Sequence, residues 1–463
     1  MLKIFLNGKK ILEKDFNPND TLDKIRENIF NSLVFTDENS KEIDISDESE
    51  LTLNDIIKNK DKMNLNFKIQ PKSIKKNNPI SGTKLLENKG KLKIYQYPNE
   101  RLNDSEESSS INILLVGETC SGKTTLLNSF INVLMDIQIT DDFRYKLSQD
   151  TKETDSINIY NIKPHGNIPA IKIIDSPGFG SSKGIDEDIK FRDKLANTLK
   201  NSISHINAIC LVIKSSTARL TVNQRYIFSM VLDSFGKDVQ ENFFFMLTFC
   251  DGAKPQVVSA LESKESGFNE IISQIKGNWF YKFNNSAFFS DDKEGYFEQF
   301  FWKISKNSFH EFLKKLTQTQ RKSLSQTNEV LKIRQSLEND AKNISNKLKK
   351  GLDLMKLIKQ NLSMNENKKE FINITKDCLN IQEQIRNSVN KLKNIALSYN
   401  NYAKYEEMMD LLIMTEKEER KQYWTERVKQ YEDVKNQYKI LKEICEGNLS
   451  DIKSLEQFKK EII

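Results

Sequence analysis

Residues 111–125 read INILLVGETCSGKTT: an apolar run, then Gly117-x-x-x-x-Gly122-Lys123-Thr124, then the leucines of a helix start. A strand before the glycines and a helix after them is the setting in which this spacing forms a phosphate-binding loop. Gly117 and Gly122 let the backbone turn tightly, so that the loop residues Glu118, Thr119, Cys120 and Ser121 can aim amide N–H groups at a phosphate chain. Thr125 and the start of the helix add the positive end of the helix dipole. Lys123 is placed to reach the β- and γ-phosphates, and the Thr124 hydroxyl to ligate Mg²⁺. The chain is expected to bind a nucleotide.

The second half of such a site follows in IPAIKIIDSPGFG (168–180). An apolar strand ends in Asp175, and Gly178 comes three residues later. Asp175 is suited to hold Mg²⁺ through a water, and the Gly178 N–H to sense the γ-phosphate. Ser176 stands where many P-loop ATPases carry a catalytic Glu, and no LSGGQ-like signature occurs. Further on, INAICLVI (206–213) reads as a buried parallel strand and STARLTVNQRYIF (216–228) as the opening of a helix. FFFMLTFCDG (243–252) is a strand ending in Thr248-x-x-Asp251. FNNSAFF (283–289) is expected to be the last strand, carrying Ser286-Ala287.

Asp175-Ser176-Pro177-Gly178 resembles the Asp-x-Pro-Gly of translation-factor-related GTPases. Within these, residues 90–300 resemble the septin, Toc and immunity-associated (avirulence-induced) branch. The resemblance implies a doubly wound, mostly parallel α/β sheet and a protein that hydrolyses GTP to GDP and phosphate with Mg²⁺. It also implies that Thr248-x-x-Asp251 stands where most GTPases have Asn-Lys-x-Asp. Asp251 would then accept hydrogen bonds from the guanine N1–H and amine, which adenine cannot supply. Ser286-Ala287 would contact the guanine oxygen. The switch-one threonine that completes the Mg²⁺ shell is Thr151 or Thr154, both ahead of the alternating segment 157–162. Lys123, Gly178 and this threonine form the expected catalytic set, and stabilisation of phosphoryl charge is the expected mode of catalysis.

Two residues depart from the resembled pattern. Phe179 follows Gly178, where many small GTPases have a water-positioning Gln; intrinsic hydrolysis is expected to be slow, with pairing of two nucleotide domains as the way to complete the site. Cys120 occupies a loop position usually held by Gly or another small residue, and a thiol beside phosphate-binding amides is oxidisable. Three other readings stay open: a GTP-binding scaffold that hardly hydrolyses, an ATPase, and nucleic-acid binding by a basic helical tail.

Outside this domain, residues 1–70 open MLKIFLNGKKIL, a hairpin signal around Asn7-Gly8, followed by a helical pattern and later apolar pieces. The order resembles ubiquitin-like β-grasp domains and implies a partner-docking module or an inert folded cap. No Gly-Gly follows Ile69, which excludes a conjugated modifier. Residues 71–90 read as a linker, 91–304 as the nucleotide domain, with 91–98 as an extra edge strand, and 305–463 as a helical coiled-coil region. There Leu337, Ala341, Ile344, Leu348, Met355, Ile358 and Leu362 form a heptad seam broken at Gly351; Tyr431, Val434, Tyr438, Leu441 and Cys445 form a second. An Asn-rich break between them predicts a helical hairpin or bundle. Its stripes would pack helices, build a homodimer or higher oligomer, or dock back onto the nucleotide domain.

The 463 residues carry a net charge of +6 with both signs interspersed, a pattern that describes a solvated helical surface better than a nucleic-acid footprint. Three His and five Cys are scattered without zinc spacing, and no apolar run approaches the roughly 18 residues that span a bilayer. An odd, dispersed cysteine set without a signal peptide fits a reducing cytosol.

Overall fold

The computed structural model describes residues 2–6, 9–14, 79–147, 157–166, 168–179, 184–275, 277–360, 365–399 and 402–463. It divides into two units, Met1–Asn78 and Pro79–Ile463. In the first, β1 (Leu2–Leu6) pairs antiparallel with β2 (Lys9–Lys14), with a register shift between Ile4 and Phe5, as the hairpin signal requires. The rest of the expected β-grasp domain lies outside the described residues.

The second unit is built on a six-stranded sheet. Its strands are β5 (Ile111–Gly117), β7 (Asn158–Ile162), β8 (Ile171–Asp175), β10 (Ala208–Lys214), β11 (Phe243–Thr248) and β12 (Phe280–Lys282), in the spatial order β12-β11-β10-β5-β8-β7. All neighbours are parallel except the edge strand β7, which runs antiparallel to β8. The short β9 (His205–Ile206) pairs with β13 (Lys322–Ser323) beside it.

Both faces of the sheet are covered, which is why β5, β8 and β11 are buried at every residue. On one face Ile113 and Leu115 meet α2 (Lys123–Leu134) and α7 (Tyr296–Gln318) in one apolar core. On the other, Leu114 and Val116 meet α3 (Ile185–Ser202) and α4 (Val222–Asp233). The period-two alternation along β5 thus sends its side chains into two cores. Shorter pieces complete the domain: α1 (Asp104–Ser109), α5 (Val257–Glu262) and α6 (Asn269–Gln274).

Three expectations are corrected. Residues 91–98 do not extend the main sheet: β4 (Leu92–Gln96) lies in a separate three-stranded sheet, between β3 (Leu85–Lys89) and β6 (Phe143–Lys146). The stretch read as linker therefore contains β3, which folds back on β4 through Gly90 at φ +57°. Residues 283–289 are not a strand. β12 ends at Lys282, and Asn285–Phe289 is a 3₁₀ turn whose start is held by the Asn284 side chain. Asn competes with the ladder for backbone groups, and here it wins.

The helical region contains α8 (Ser325–Lys359), α9 (Asn365–Ile395), α10 (Tyr402–Glu419), α11 (Trp424–Glu446) and α12 (Ser450–Ile462). α8, α9, α12 and the C-terminal part of α11 share one apolar core, the bundle that the heptads imply. Gly351 interrupts the seam because a Cβ there would meet Leu455 Cδ1 at 3.0 Å and Ile374 Cγ2 at 3.3 Å. α7 crosses residue 304 unbroken, so nucleotide domain and helical region share it.

The region also docks back on the nucleotide domain. Tyr405, Met408, Met409 and Leu412 of α10, with Val428, Tyr431 and Val434 of α11, enter the same core as α3 and α4. A polar cluster sits within that junction: Arg192 of α3 pairs with Glu338 of α8, and Arg334 of α8 lies 3.1 Å from Asp233 of α4.

Candidate functional site

The phosphate loop is shaped by what presses on it. A Cβ on Gly117 would lie 2.4 Å from the Val212 carbonyl oxygen on β10, so only glycine fits at the strand exit. Cys120, exposed at the crest, takes φ +61°, the left-handed region that explains why this position favours glycine. Gly122 enters α2 at φ +89°, and no side chain caps that helix. Its first N–H groups, which have no partner within the helix, are thereby left for an anion.

Lys123 folds back over the loop, donating from Nζ to the carbonyls of Gly117 and Glu118 at 3.0 Å each. Burial pushes its pKa down to about 8, a shift opposed by Asp175. Asp175 ends β8 in full burial, and neither carboxylate oxygen has a hydrogen-bond partner. Desolvation raises its pKa to about 6 against the pull of Lys123. An orphaned buried carboxylate facing a phosphate loop fits a cation-bound water better than a structural role. Among the described residues no cluster of three His, Cys, Asp or Glu could hold a metal by itself. This donor set suits an ion that draws its other ligands from phosphate and water.

The two halves of the site are clasped. The Thr119 N–H donates to the Phe179 carbonyl at 3.0 Å, and the Phe179 N–H to the Gly117 carbonyl at 3.1 Å. Gly178 lies so close that a Cβ would stand 2.4 Å from the Thr119 Cα. The Phe179 ring turns into the core and is 1% exposed, so it does not occupy the mouth of the site. Thr151 and Thr154 lie outside the described residues.

At the other end of the site, Thr248 is buried and its hydroxyl donates to the Ser121 carbonyl at 2.6 Å, bracing the phosphate loop. Asp251 is exposed and accepts from the Ala253 N–H at 2.9 Å. Ser286 is exposed and Ala287 buried in the turn after β12. Asn284 joins the two loops: its Nδ2 donates to the Cys250 carbonyl at 2.9 Å, while its Oδ1 accepts from the Ser286 hydroxyl at 2.7 Å.

The sequence reading missed Asn284, Gln224 and Arg144. Gln224 Nε2 donates to Glu118 at 3.1 Å and ties α4 to the phosphate loop. It also completes the capping box with Thr221, the sequence signal that could have flagged it. Arg144 is buried and donates to the carbonyls of Phe288, Asp141, Phe143 and Ile139, anchoring the turn that carries Ser286. Burial lowers its pKa to about 10. No periodicity announces a buried arginine.

Residues 111–335 match the family model described as the AIG1 family. Among solved structures, Toc33 from Arabidopsis thaliana in complex with Mg²⁺ and GMPPNP is 14% identical, covers 46% of this chain and 88% of its own, and has a TM-score of 0.30. Toc33 from the same plant in complex with GDP and Mg²⁺ is 15% identical over 46% of this chain and 87% of its own, TM-score 0.29. A probable GTP-binding protein, engB, is 18% identical over 44% of this chain and 99% of its own, TM-score 0.26. The comparison with curated proteins returns no match.

Proposed function

We propose that this P-loop GTPase domain of the AIG1 class binds GTP with Mg²⁺ and hydrolyses it slowly to GDP and phosphate, and that its nucleotide state governs self-association or partner binding. The observation that carries the reading is the joint burial of Lys123 and Asp175 on two clasped loops, with both Asp175 oxygens unpartnered. A buried carboxylate without hydrogen bonds is costly unless a ligand completes it.

The backbone of Glu118–Thr125 cradles the phosphates, and Lys123 lies across the β- and γ-positions. Thr124, Asp175 and Thr151 or Thr154 would hold Mg²⁺, which when bound neutralises phosphate charge. The Gly178 N–H meets the γ-phosphate. Thr248, Asp251, Ser286 and Ala287 form the base end, where the exposed Asp251 carboxylate would accept from the guanine N1–H and amine, a donor pair that adenine lacks. Among the described residues no helix is long and apolar enough to cross a membrane.

A second reading, a GTP-binding scaffold without turnover, is favoured by Phe179, whose ring lies in the core and can orient no water. Single-turnover hydrolysis across protein concentrations separates the two. A rate rising with concentration supports a dimer-completed enzyme, and no turnover at any concentration supports the scaffold. ATP outcompeting GTP would remove the guanine assignment.

A further inference from the structure

The start of α7 carries three large aromatic residues on the outside of the protein. Tyr296 is 78% exposed, Phe297 64% and Phe300 36%. The core-facing stripe of this helix runs through Trp302, Ser305, Phe309, Phe312 and Leu316, and the three rings fall outside it. They do not stand singly. The Tyr296 and Phe300 rings are parallel to within 4° with centroids 6.4 Å apart, Tyr296 meets Phe297 edge-on at 5.7 Å, and Phe297 reaches Phe301 at 6.1 Å. Rings ordered by one another make a preformed apolar face, and a contiguous face of this kind marks an interaction surface.

The charge around that face says what fits it. Residues 291–298 hold Asp291, Asp292, Glu294 and Glu298 against Lys293 alone, and Lys293 is bound to the Asp142 carboxylate at 2.5 Å. Asp291, Asp292 and Glu294 are exposed and Glu298 is half-buried. On the other side Phe300 packs where a side chain on Gly252 would be, with Cζ 2.6 Å from the Cβ position, next to the exposed Asp251. The helix dipole accounts for Glu298, the acid in the first turn, and Asp292 also holds the preceding turn by accepting from the Gly295 N–H at 2.9 Å. Neither role explains the rings. Exposed cations, Lys254 and Lys303, come three residues past Asp251 and Phe300. An acidic rim turns away anionic lipid and the phosphates of nucleic acid. It suits a guanidinium, which stacks flat on an aromatic face while pairing with a carboxylate through two hydrogen bonds.

We propose that Tyr296, Phe297 and Phe300 form a docking surface for a basic, arginine-bearing segment of another protein. Apolar residues of that segment would lie on the rings, and its guanidinium groups between the rings and the carboxylates. The surface belongs to α7 and does not depend on reading residues 117–125 as a nucleotide site. A partner seated there would also touch the loop that carries Asp251.

The test titrates the full chain with three short synthetic amphipathic peptides, made of Arg and Leu, of Lys and Leu, and of Glu and Leu. The Arg–Leu peptide should bind saturably, the Lys–Leu peptide severalfold more weakly, and the Glu–Leu peptide not at all. Y296S/F297S and, separately, E294Q/E298Q should each weaken the Arg–Leu peptide at least about tenfold. M414S, at an exposed apolar residue of α10, should leave it unchanged. Melting temperatures confirm folding, and the isosteric E294Q/E298Q keeps the test open should the aromatic variant unfold. Variants that bind the Arg–Leu peptide as wild type does, or a wild type that fails to bind it, would overturn the proposal. Binding to phosphatidylserine vesicles that Y296S/F297S abolishes would give the rings to a membrane. A dimer that Y296S/F297S dissociates would give them to a second copy of the chain. Either result overturns the proposal.

Discussion

The Tyr405 hydroxyl donates to the Asp233 carboxylate at 2.7 Å across 172 residues of sequence. Asp233 ends α4 in the nucleotide domain, and Tyr405 lies on α10 of the helical region. Arg334 approaches the other Asp233 oxygen at 3.1 Å, so one carboxylate joins three helices. Y405F should cost about 1–3 kcal/mol by leaving a buried acceptor short of a partner. R334M strands the charge and should cost about 3–5 kcal/mol. Urea unfolding measures both; losses under about 0.5 kcal/mol would mean that the junction is wet and loosely held.

The pH dependence follows from Asp175. Its carboxyl is raised by burial to about 6, so the ionised form is the disfavoured one in the folded, ion-free site. That destabilisation is complete above about pH 6 and is relieved as pH falls through it toward the unfolded value. Mg²⁺ requires the ionised form. Lowering the pH from about 7 to about 5 should therefore stabilise the nucleotide-free protein through this group and weaken Mg²⁺-dependent GDP binding. D175N should bind GDP alike with and without Mg²⁺ at both values. Calorimetric titration decides it, and Mg²⁺ stimulation that is equal at both pH values would contradict the assignment.

Gly178 offers a steric prediction. The atom that a Cβ would meet at 2.4 Å is the backbone Cα of Thr119, which no rotamer change can move aside. G178A must push the segment after Asp175 away from the phosphate loop and break the hydrogen bonds between Thr119, Phe179 and Gly117. GDP affinity should fall at least about tenfold, roughly 1.4 kcal/mol. Wild-type affinity in G178A would show that the clasp does not shape the site.

Cys120 is the exposed cysteine of the chain; Cys210, Cys250 and Cys378 are buried and Cys445 is half-buried. A nucleotide seated on the loop should shield it. Alkylation at Cys120, read by peptide mass, should slow severalfold when GTP and Mg²⁺ are present. Equal labelling with and without GTP would place the phosphates elsewhere.

The phosphate loop was legible because the chemistry dictates its residue types: Gly117, Gly122, Lys123 and Asp175 all fall where their spacing puts them. The heptads likewise announced a bundle, since a seam of buried apolar residues has one period. Which surface that bundle would also cover was less legible. Tyr431 and Val434 continue the same seam as Leu441, yet they enter the nucleotide domain's core while Leu441 enters the bundle's. Periodicity records that a face is apolar and is silent on what meets it. The turn at Asn285–Phe289 was misread as a strand for a local reason: aromatic residues favour strands, and one side chain, Asn284, overrides them. The sequence shows Phe179 only as an apolar residue beside Gly178; its burial shows that its ring serves the core while its backbone serves the clasp.

The cover that α10 and α11 lay over α3 and α4 has a consequence for how the protein is made. The last strand of the main sheet ends at Lys282, whereas Val434, which helps close the core beneath it, is translated about 150 residues later. At ordinary rates of synthesis that delay is roughly 10–30 s, during which a nascent nucleotide domain lacks the Tyr405 cover over Tyr226 and Met230. Chaperones would meet this chain during that interval, and a ribosome stalled between the two points would hold a nucleotide domain whose sheet is complete and whose core is open.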